Sequence, residues 1–419
     1  MRKNIKYIFS IIFALSVLVI PPIYAEGITE PAIKNRQEDT FKDLSPNHWA
    51  YNAITSAVQK GYFKGYEDGT FKPSAPVSRE EFAVLLSRVS INPAASVATV
   101  FPDITGRWGE QGIVNAVNKG FINQSTYLLG FKPTQLITRI EMVRWIASGL
   151  GVTNPDYAQA VKDMAETVLP IQEYYKGTVK KSDYGAIGLM MGTGIMNGYD
   201  TGIFGGSNTT SRAEVAAILL HMEEVQTKSP EDFPNLIQMR ELGTTGTNVE
   251  AMGFSYTKSL YSDAIPTFKD IIWNKPFSLG NNAGTMTVHH MIVIDSKDPT
   301  SIYYPLFFSK GSNLDSATPD PFTYLVMSMV TIKSNRDEFT ESTLFTSRIA
   351  DELSSFSFKA GDGKKYGYPY REYNAFYDQR FIIKKGEQRT LYTYGQVKPA
   401  KSDILTRIVF RTNPQVWIE

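Results

Sequence analysis

The sequence predicts a multidomain α+β chain: a mostly α N-terminal half of three repeated units, then a mainly antiparallel β C-terminal half, sandwich or barrel. Three observations lead there. A Ser or Thr, an Arg, one further residue and a Glu open an apolar helical run three times: Ser78-Arg79-Glu80-Glu81, Thr138-Arg139-Ile140-Glu141 and Ser211-Arg212-Ala213-Glu214. The surrounding blocks repeat as well, with Asp43 to Arg79 spaced as Asp103 to Arg139, and Ile54 to Arg79 spaced as Ile187 to Arg212. Past Val225 the texture turns to short apolar and β-branched runs punctuated by Gly, Asn, Asp and Pro, the pattern of strands and turns.

Residues 1–25 hold Arg2, Lys3 and Lys6, an apolar run from Tyr7 to Ile20, then Pro21-Pro22 and Ala25. That is the charge, length and exit of a secretory signal peptide; a membrane span needs about 20 apolar residues. No later stretch reaches that length, so no transmembrane anchor is expected in the mature chain. Residues 26–40 read as a polar tether. In unit one (41–90), Ser45-Pro46 begins a helix with Ala50, Ile54, Ala57 and Val58 on its apolar face, and Gly61 ends it. A second helix sets Phe82, Leu85, Leu86 and Val89 at helical spacing. Unit two (101–151) repeats this with Met142, Val143, Ile146 and Leu150, but has Asn123 to Gly130 where unit one has Gly65-Tyr66-Glu67-Asp68-Gly69. Unit three (161–225) is degenerate: it starts near Val161-Lys162-Asp163-Met164, lacks a Trp and carries an insertion, before a stripe of Val215, Ile218, Leu219 and Met222. One unit buries too little apolar surface to stand alone, so three should share a core.

Residues 226–246, with Pro230 and Pro234, read as a linker, and 247–419 as a β-rich domain. Strands are expected at Met252–Tyr256, Thr285–Asp295, Ile302–Phe308, Phe322–Lys333, Gln379–Lys384, Thr390–Tyr394 and Ile404–Arg411, with a helix near Glu341–Leu353.

The repeated motif carries the chemistry. Ser78 with Glu81, Thr138 with Glu141 and Ser211 with Glu214 have the N-cap and N3 spacing of capping boxes, which satisfy two otherwise unpaired helix donors. Arg79, Arg139 and Arg212 then fall at N1. There a fixed cation adds to the open N–H groups and positive dipole end of a helix, and an anion is favoured. On this reading each Arg is an exposed residue whose replacement should change stability by no more than about 0.5 kcal/mol. Trp49 and Trp108 offer either core packing at a helix start or flat faces for a sugar ring. Asp43 and Asp103 either cap the first turn or orient a sugar hydroxyl or an Arg.

The pattern Phe41-x-Asp43, Trp49-Ala50, Gly65-Tyr66-x-Asp68-Gly69-x-Phe71-x-Pro73 and Ser78-Arg79-x-Glu81 resembles the S-layer homology (SLH) module, which commonly occurs as three tandem copies. The resemblance covers about residues 41 to 225. It implies a pseudo-threefold, three-pronged bundle with grooves between adjacent units, secretion to a Gram-positive type of cell wall or S-layer, and binding of secondary cell-wall polysaccharide, often through a pyruvylated sugar. The ketal carboxylate of such a sugar is an anion that Arg79, Arg139 and Arg212 would read. In the family the Trp lies by the groove, which brings Trp49 and Trp108 toward the sugar. The absent Trp in unit three and the altered loop in unit two imply unequal grooves.

Composition agrees and excludes. The chain has 419 residues, 42% hydrophobic and 20% charged, enough for ordinary cores. Loss of Arg2, Lys3 and Lys6 with the leader takes the formal charge from +1 to −2, and nothing indicates nucleic acid. There is no Cys, which excludes disulfides, thiol nucleophiles and thiolate metal sites. In the β-rich part His289 and His290 should face opposite sides of one strand, His290 with Val288, Ile292 and Ile294, and His289 with Thr287, Met291 and Asp295. No metal, cofactor or catalytic constellation is announced. Tyr366, Tyr368, Tyr370 and Tyr373 in a Gly- and Pro-rich stretch could form a stacking surface for glycan or partner protein. The expectation is a non-enzymatic surface protein whose β-rich module binds peptidoglycan or another surface protein, or serves structurally. The alternative is a tethered enzyme degrading wall or extracellular polymer.

Overall fold

The structure, a computed structural model, describes residues 41–95, 101–258, 263–308, 324–347, 366, 382–397, 408–412 and 415–419. The expected leader and tether, and Tyr368, Tyr370 and Tyr373, lie outside the described residues.

Helices come in pairs. α1 (Tyr51–Gln59) and α2 (Arg79–Val89) make unit one, and α3 (Glu110–Asn118) and α4 (Arg139–Thr153) make unit two. α5 (Pro155–Asp163) and a short α6 (Gln172–Tyr175) precede α7 (Tyr184–Thr193) and α8 (Arg212–Val225) of unit three. The second helix of each unit packs on the first helix of the next: α2 on α3, α4 on α7, and α8 back on α1. That return contact closes a ring. The expected stripes Phe82, Leu85, Leu86 and Val89, Met142, Val143, Ile146 and Leu150, and Val215, Ile218, Leu219 and Met222 are all buried in one core, joined by Ile54, Ile113 and Ile187 from the first helices. Burial at roughly 25 cal/mol per Å2 of apolar surface favours this shared core over three separate ones too small to persist.

Unit three begins later than its sequence suggests. Asp43 accepts hydrogen bonds from the N–H groups of Phe71 and Lys72 (both 2.8 Å), and Asp103 from those of Phe131 (3.0 Å) and Lys132 (2.7 Å). In unit three Glu173, not Asp163, does this for Phe204 (3.0 Å) and Gly205 (2.8 Å). The extra methylene of Glu hides the correspondence. Asp163 instead ends α5 and pairs with Arg240 at 3.0 Å. α5, packed on α4 and α7, ends where unit three was expected to begin, and the extra length of that unit is the 3-10 turn and loop leading up to Glu173.

The stretch read as a linker is also structured. Pro230 opens a 3-10 turn and Pro234 opens α9 (Pro234–Thr245), each where a missing N–H costs nothing. Leu236, Met239 and Leu242 on α9 are fully buried, and α9 packs on α7 and α5. Gly243 lets it approach, since a Cβ there would stand 2.2 Å from the Asp163 carbonyl oxygen.

The C-terminal part is mainly antiparallel β, as expected. After β1 (Tyr256–Thr257) and α10 (Phe268–Ile271) come β2 (Pro276–Leu279), β3 (Gly284–Asp295), α11 (Tyr304–Phe307), β4 (Tyr324–Ser334), α12 (Glu341–Thr346), β5 (Gln388–Val397), β6 (Ile408–Phe410) and β7 (Val416–Ile418). One sheet runs β2-β3-β4-β5 and the other β1-β7-β6, both antiparallel. The expected strand at Ile302–Phe308 is α11 instead: short apolar runs do not distinguish helix from strand, and Pro305 sits in its first turn. β2 and β7 were not expected, and the run Met252–Tyr256 yields a strand only at its end.

β3 explains how the two halves join. Val288 pairs with Val330 and His290 with Met329, so His289 is an extra residue in a β-bulge. The bulge shifts the alternation by one. Val288, Met291 and Val293 face the core shared with β6 and β7, while Ile292 and Ile294 face the helical core. His290 therefore does not share a face with Val288, as simple alternation predicted. Beyond the bulge the sheet is covered on both sides, by the β1-β7-β6 sheet and by unit three.

Candidate functional site at the joints between helical units

Each joint has the same construction. At the α2 start, the Arg79 and Glu80 N–H groups donate to the carbonyls of Gln135 (2.8 Å) and Pro133 (3.0 Å) of unit two. At α4, Arg139 and Ile140 donate to Asn208 and Gly206 of unit three (both 2.9 Å). At α8, Arg212 and Ala213 donate to Ala75 (2.9 Å) and Pro73 (3.0 Å) of unit one. The N3 N–H goes to the capping side chain of Ser78, Thr138 or Ser211. The expectation of open helix donors awaiting an anion is thus corrected: the neighbouring loop occupies them. The ring needs these bonds because buried N–H groups must find partners.

The Arg side chains are likewise turned inward. Arg139 donates from Nε to the Phe204 carbonyl (3.0 Å) and from Nη2 to that of Asn197 (2.9 Å). Arg212 donates to the carbonyls of Phe71 and Lys64 (both 2.9 Å), and Arg79 to that of Phe131 (2.9 Å). Arg139 and Arg212 are 4% and 7% exposed, so they hold one unit to the next and are not the exposed residues expected. A Tyr of the next unit covers each guanidinium: Tyr127 over Arg79 (5.2 Å to the ring centroid), Tyr199 over Arg139 (4.7 Å) and Tyr66 over Arg212 (4.9 Å).

These tyrosines escaped the sequence reading, although Tyr-x-x-Gly recurs at Tyr66, Tyr127 and Tyr199. The loop that seemed to lack this turn in unit two keeps it. The N–H groups of Gly69, Gly130 and Gly202 donate to the carbonyls of Tyr66, Tyr127 and Tyr199, and all three glycines have positive φ (79°, 94° and 82°). Leu128 and Leu129 merely replace Glu67 and Asp68 at the tip.

The three joints differ in charge balance. Arg79 forms an ion pair with Glu141 at 2.9 Å, and Tyr127 donates to the same carboxylate at 2.7 Å while accepting from Trp145 Nε1 at 2.7 Å. Glu141 is therefore withdrawn from its capping box, of which only the Thr138 half forms; the Ser78 and Ser211 boxes are complete. Arg139 and Glu214 are 3.6 Å apart, with Tyr199 donating to Glu214 at 3.1 Å. Arg212 has no carboxylate within ion-pair distance among the described residues, and burial holds its pKa below the usual value, offset in part by the field of Glu81 and Asp43. At this third joint neither the Tyr66 hydroxyl nor Glu81 Oε1 has a hydrogen-bond partner among the described residues, and Lys72 Nζ lies 4.0 Å from the Tyr66 ring centroid.

Trp49 and Trp108 are 67% and 65% exposed, which removes the core reading. Trp108 lies between Arg107 and Gly109, which both donate to Glu80 on α2, so it flanks the joint of units one and two. Trp49 precedes α1, where α8 packs, at the joint of units three and one. Asp43 and Asp103 spend both oxygens on their own loops, where Lys72 and Lys132 are held in left-handed backbone (φ 57° and 56°), and they are not first-turn caps.

In the C-terminal part His289 is bonded to Asn274 and Thr331, while His290 donates from Nε2 to the Glu166 carbonyl at 2.9 Å, its Nδ1 unpaired. Burial pushes the His290 pKa down to about 4. Tyr366, expected on a stacking surface, is buried edge-on against Tyr175. Among the described residues no three His, Asp or Glu are grouped to hold a metal ion, and no helix is long and apolar enough to cross a membrane.

The family model for the S-layer homology domain matches residues 40–83 and 178–216, within units one and three. The chain is 33% identical over 159 residues to a cellulosome-anchoring protein of Acetivibrio thermocellus, covering 34% of this chain and 35% of that protein. It is 38% identical over 122 residues to cell surface glycoprotein 1 of the same organism (26% of this chain, 5% of that protein) and 30% identical over 125 residues to the S-layer protein sap of Bacillus anthracis (30% and 14%). The chain thus spans about a third or less of the length of these relatives. It carries an S-layer homology domain in its helical half and is a secreted protein of the cell wall or cell surface, related to S-layer and cell-surface glycoproteins, with a β-rich C-terminal module.

Proposed function

We propose that all three helical units are SLH modules and that they anchor the protein to secondary cell-wall polysaccharide through a sugar bearing a carboxylate, of the pyruvylated kind. The seat is the joint of units three and one. The observation that carries this is the graded pairing of the inward-turned arginines: tight at Arg79, loose at Arg139 and, among the described residues, absent at Arg212. A buried cation without a counter-ion is unfavourable by several kcal/mol and gains most from an incoming carboxylate. Tyr66 supplies a hydroxyl, Lys72, now 3.6 Å from Asp68, a second cation that can turn to the ligand, and exposed Trp49 a flat face for the sugar ring. Glu81 disfavours a second negative charge, which selects a monoanion over a phosphate. Arg79 and Arg139, with their carboxylates in place, act mainly as couplers between units, with Trp108 a flanking contact. The β-rich module is displayed for binding or structural work and is not a catalyst.

The test is sedimentation of the intact chain with purified walls, before and after the non-peptidoglycan polysaccharide is stripped. Tyr66→Phe combined with Lys72→Gln keeps the fold, since both side chains are partly or fully exposed, and should weaken binding at least tenfold, about 1.4 kcal/mol. Arg212→Lys should weaken it further. Unchanged binding by both folded variants, or unchanged binding to stripped walls, overturns the proposal.

A further inference from the structure

We infer that the seam between unit three and the C-terminal module is a second carbohydrate site, one that takes an uncharged saccharide. A cleft of about 700 Å3 opens there, walled by the end of α7 and the Asn197–Gly202 turn on one side, Phe233 to Asn235 below, and Pro299 to Phe308 on the other. That volume is in the range of small-ligand sites, roughly 300–1,000 Å3.

The lining selects the ligand class. Tyr199, Phe233, Tyr304 and Phe308 each line the cleft with partly exposed rings. Tyr304 and Phe308 lie with centroids 4.4 Å apart and planes 32° apart, so the two rings lean face on face as one aromatic pair at the cleft wall. The C–H faces of a pyranose are apolar and slightly positive, and they pack on the negative face of such rings. Around these rings are groups suited to hydroxyls. Asn197 is exposed and, among the described residues, engages only its backbone carbonyl, on Arg139, so its amide can donate and accept. Among the described lining residues Asp200 is the sole carboxylate and there is no Lys, Arg or His, so these residues offer a carboxylate or phosphate ligand no cation. Among the described residues no β-strand residue lines the cleft either, so an extended peptide finds no edge there to pair with. A neutral sugar of one to three rings meets both conditions.

This site shares no residue with the anion seat of Arg212, Tyr66 and Lys72, and either could exist without the other. The seam exists because α9 and α11 fasten the module to unit three: Asn235 accepts from the Ile302 N–H at 2.9 Å and donates to the Thr300 carbonyl at 3.1 Å. The cleft is thus a product of the fusion and belongs to neither half alone.

The experiment is calorimetric and NMR titration of the intact chain with chitotriose, maltotriose and cellotriose, and with an uncharged hexapeptide. At least one trisaccharide should bind with a Kd of about 1 mM or tighter. Tyr304→Ala combined with Phe308→Ala should lower that affinity at least tenfold. Because these rings are half-buried, Asn197→Trp serves as the second variant: it fills the cleft from an exposed position and should also abolish binding. Arg212→Lys should leave the trisaccharide affinity unchanged while it weakens wall binding. The inference is overturned if no trisaccharide binds at about 10 mM, if binding survives in Asn197→Trp, or if only the peptide binds.

Discussion

His290 makes the junction between the helical half and the β-rich module sensitive to acid, by an amount the structure sets. Its Nε2 donates to the Glu166 carbonyl, so its neutral tautomer leaves a lone pair on Nδ1 with no partner. Protonating Nδ1 would place an unpaired N–H and a full charge between β3 and the turn before unit three. The groups facing it are Glu166, which favours the charged form weakly and is itself paired with Lys181, and His289, which disfavours it. Burial dominates, and the pKa falls from 6.5 to about 4. Between these values the unfolded chain binds the proton and the folded chain does not, so stability falls as pH falls. The slope is at most about 1.4 kcal/mol per pH unit, and the whole loss is about 3 kcal/mol, complete near pH 4. His290→Gln can still donate to Glu166 without titrating. Urea unfolding of both proteins from pH 8 to pH 4 should therefore show the unaltered chain losing about 3 kcal/mol relative to the variant below pH 6.5. Glu241, whose carboxyl burial pushes up to about 7, contributes a slope of opposite sign, but it is common to both proteins and cancels in the difference. A difference curve flat across this range would refute the assignment of His290 as a buried neutral strut.

Other consequences are as direct. Arg139→Ala should destabilise the helical ring by about 3 kcal/mol, seen as a lower urea midpoint, and Arg139→Lys should restore only part of this because an ammonium cannot span two carbonyls. A loss below about 0.5 kcal/mol would mean the side chain is solvated after all. Gly185→Ala should be far worse than Gly177→Ala: the first Cβ would lie 2.0 Å from the Val161 carbonyl oxygen, whereas the second meets nothing within 4 Å and strains only its own backbone (φ +65°). About 2 kcal/mol against about 1 is expected from thermal melts. Severing the chain after Val225 should leave fragment 226–419 with Leu236, Met239 and Leu242 uncovered, seen as dye binding and loss of a sharp urea transition. A cooperative transition equal to that of the intact chain would show that the module does not depend on unit three.

What the sequence disclosed was whatever is local or strictly repeated. The apolar stripes of the second helices, the Ser78 and Ser211 boxes and the long strands β3 and β4 follow from spacing alone. The joints did not, because each is made between residues 52 to 148 positions apart, such as Arg79 with Phe131 and Arg212 with Lys64. An Arg at N1 looks identical whether it faces solvent or a neighbouring carbonyl. Pro234 was legible as a break but not as the first residue of a helix, and His289 as a strand residue but not as the one that a bulge leaves over. Glu173 was hidden because the geometry tolerates a longer acid than the motif specifies. At the candidate site the arginines were found and their tyrosine covers were not.

The ring also has an order of assembly. Arg79 reaches 52 residues ahead and Arg139 reaches 65, but Arg212 reaches back 141 to its first carbonyl partner. The entropy of closing a loop grows with the logarithm of its length, so the last joint costs about 0.9 kcal/mol more than the first. It is also the joint whose cation has no counter-ion among the described residues, so it closes last and opens first. A ligand that seats there binds the closed ring and not the open arc, and at a hundred times its Kd it would add about 2.7 kcal/mol to closure. On the proposed function the polysaccharide would then act as a clasp: a chain newly exported and still gaping would finish folding on the wall it binds.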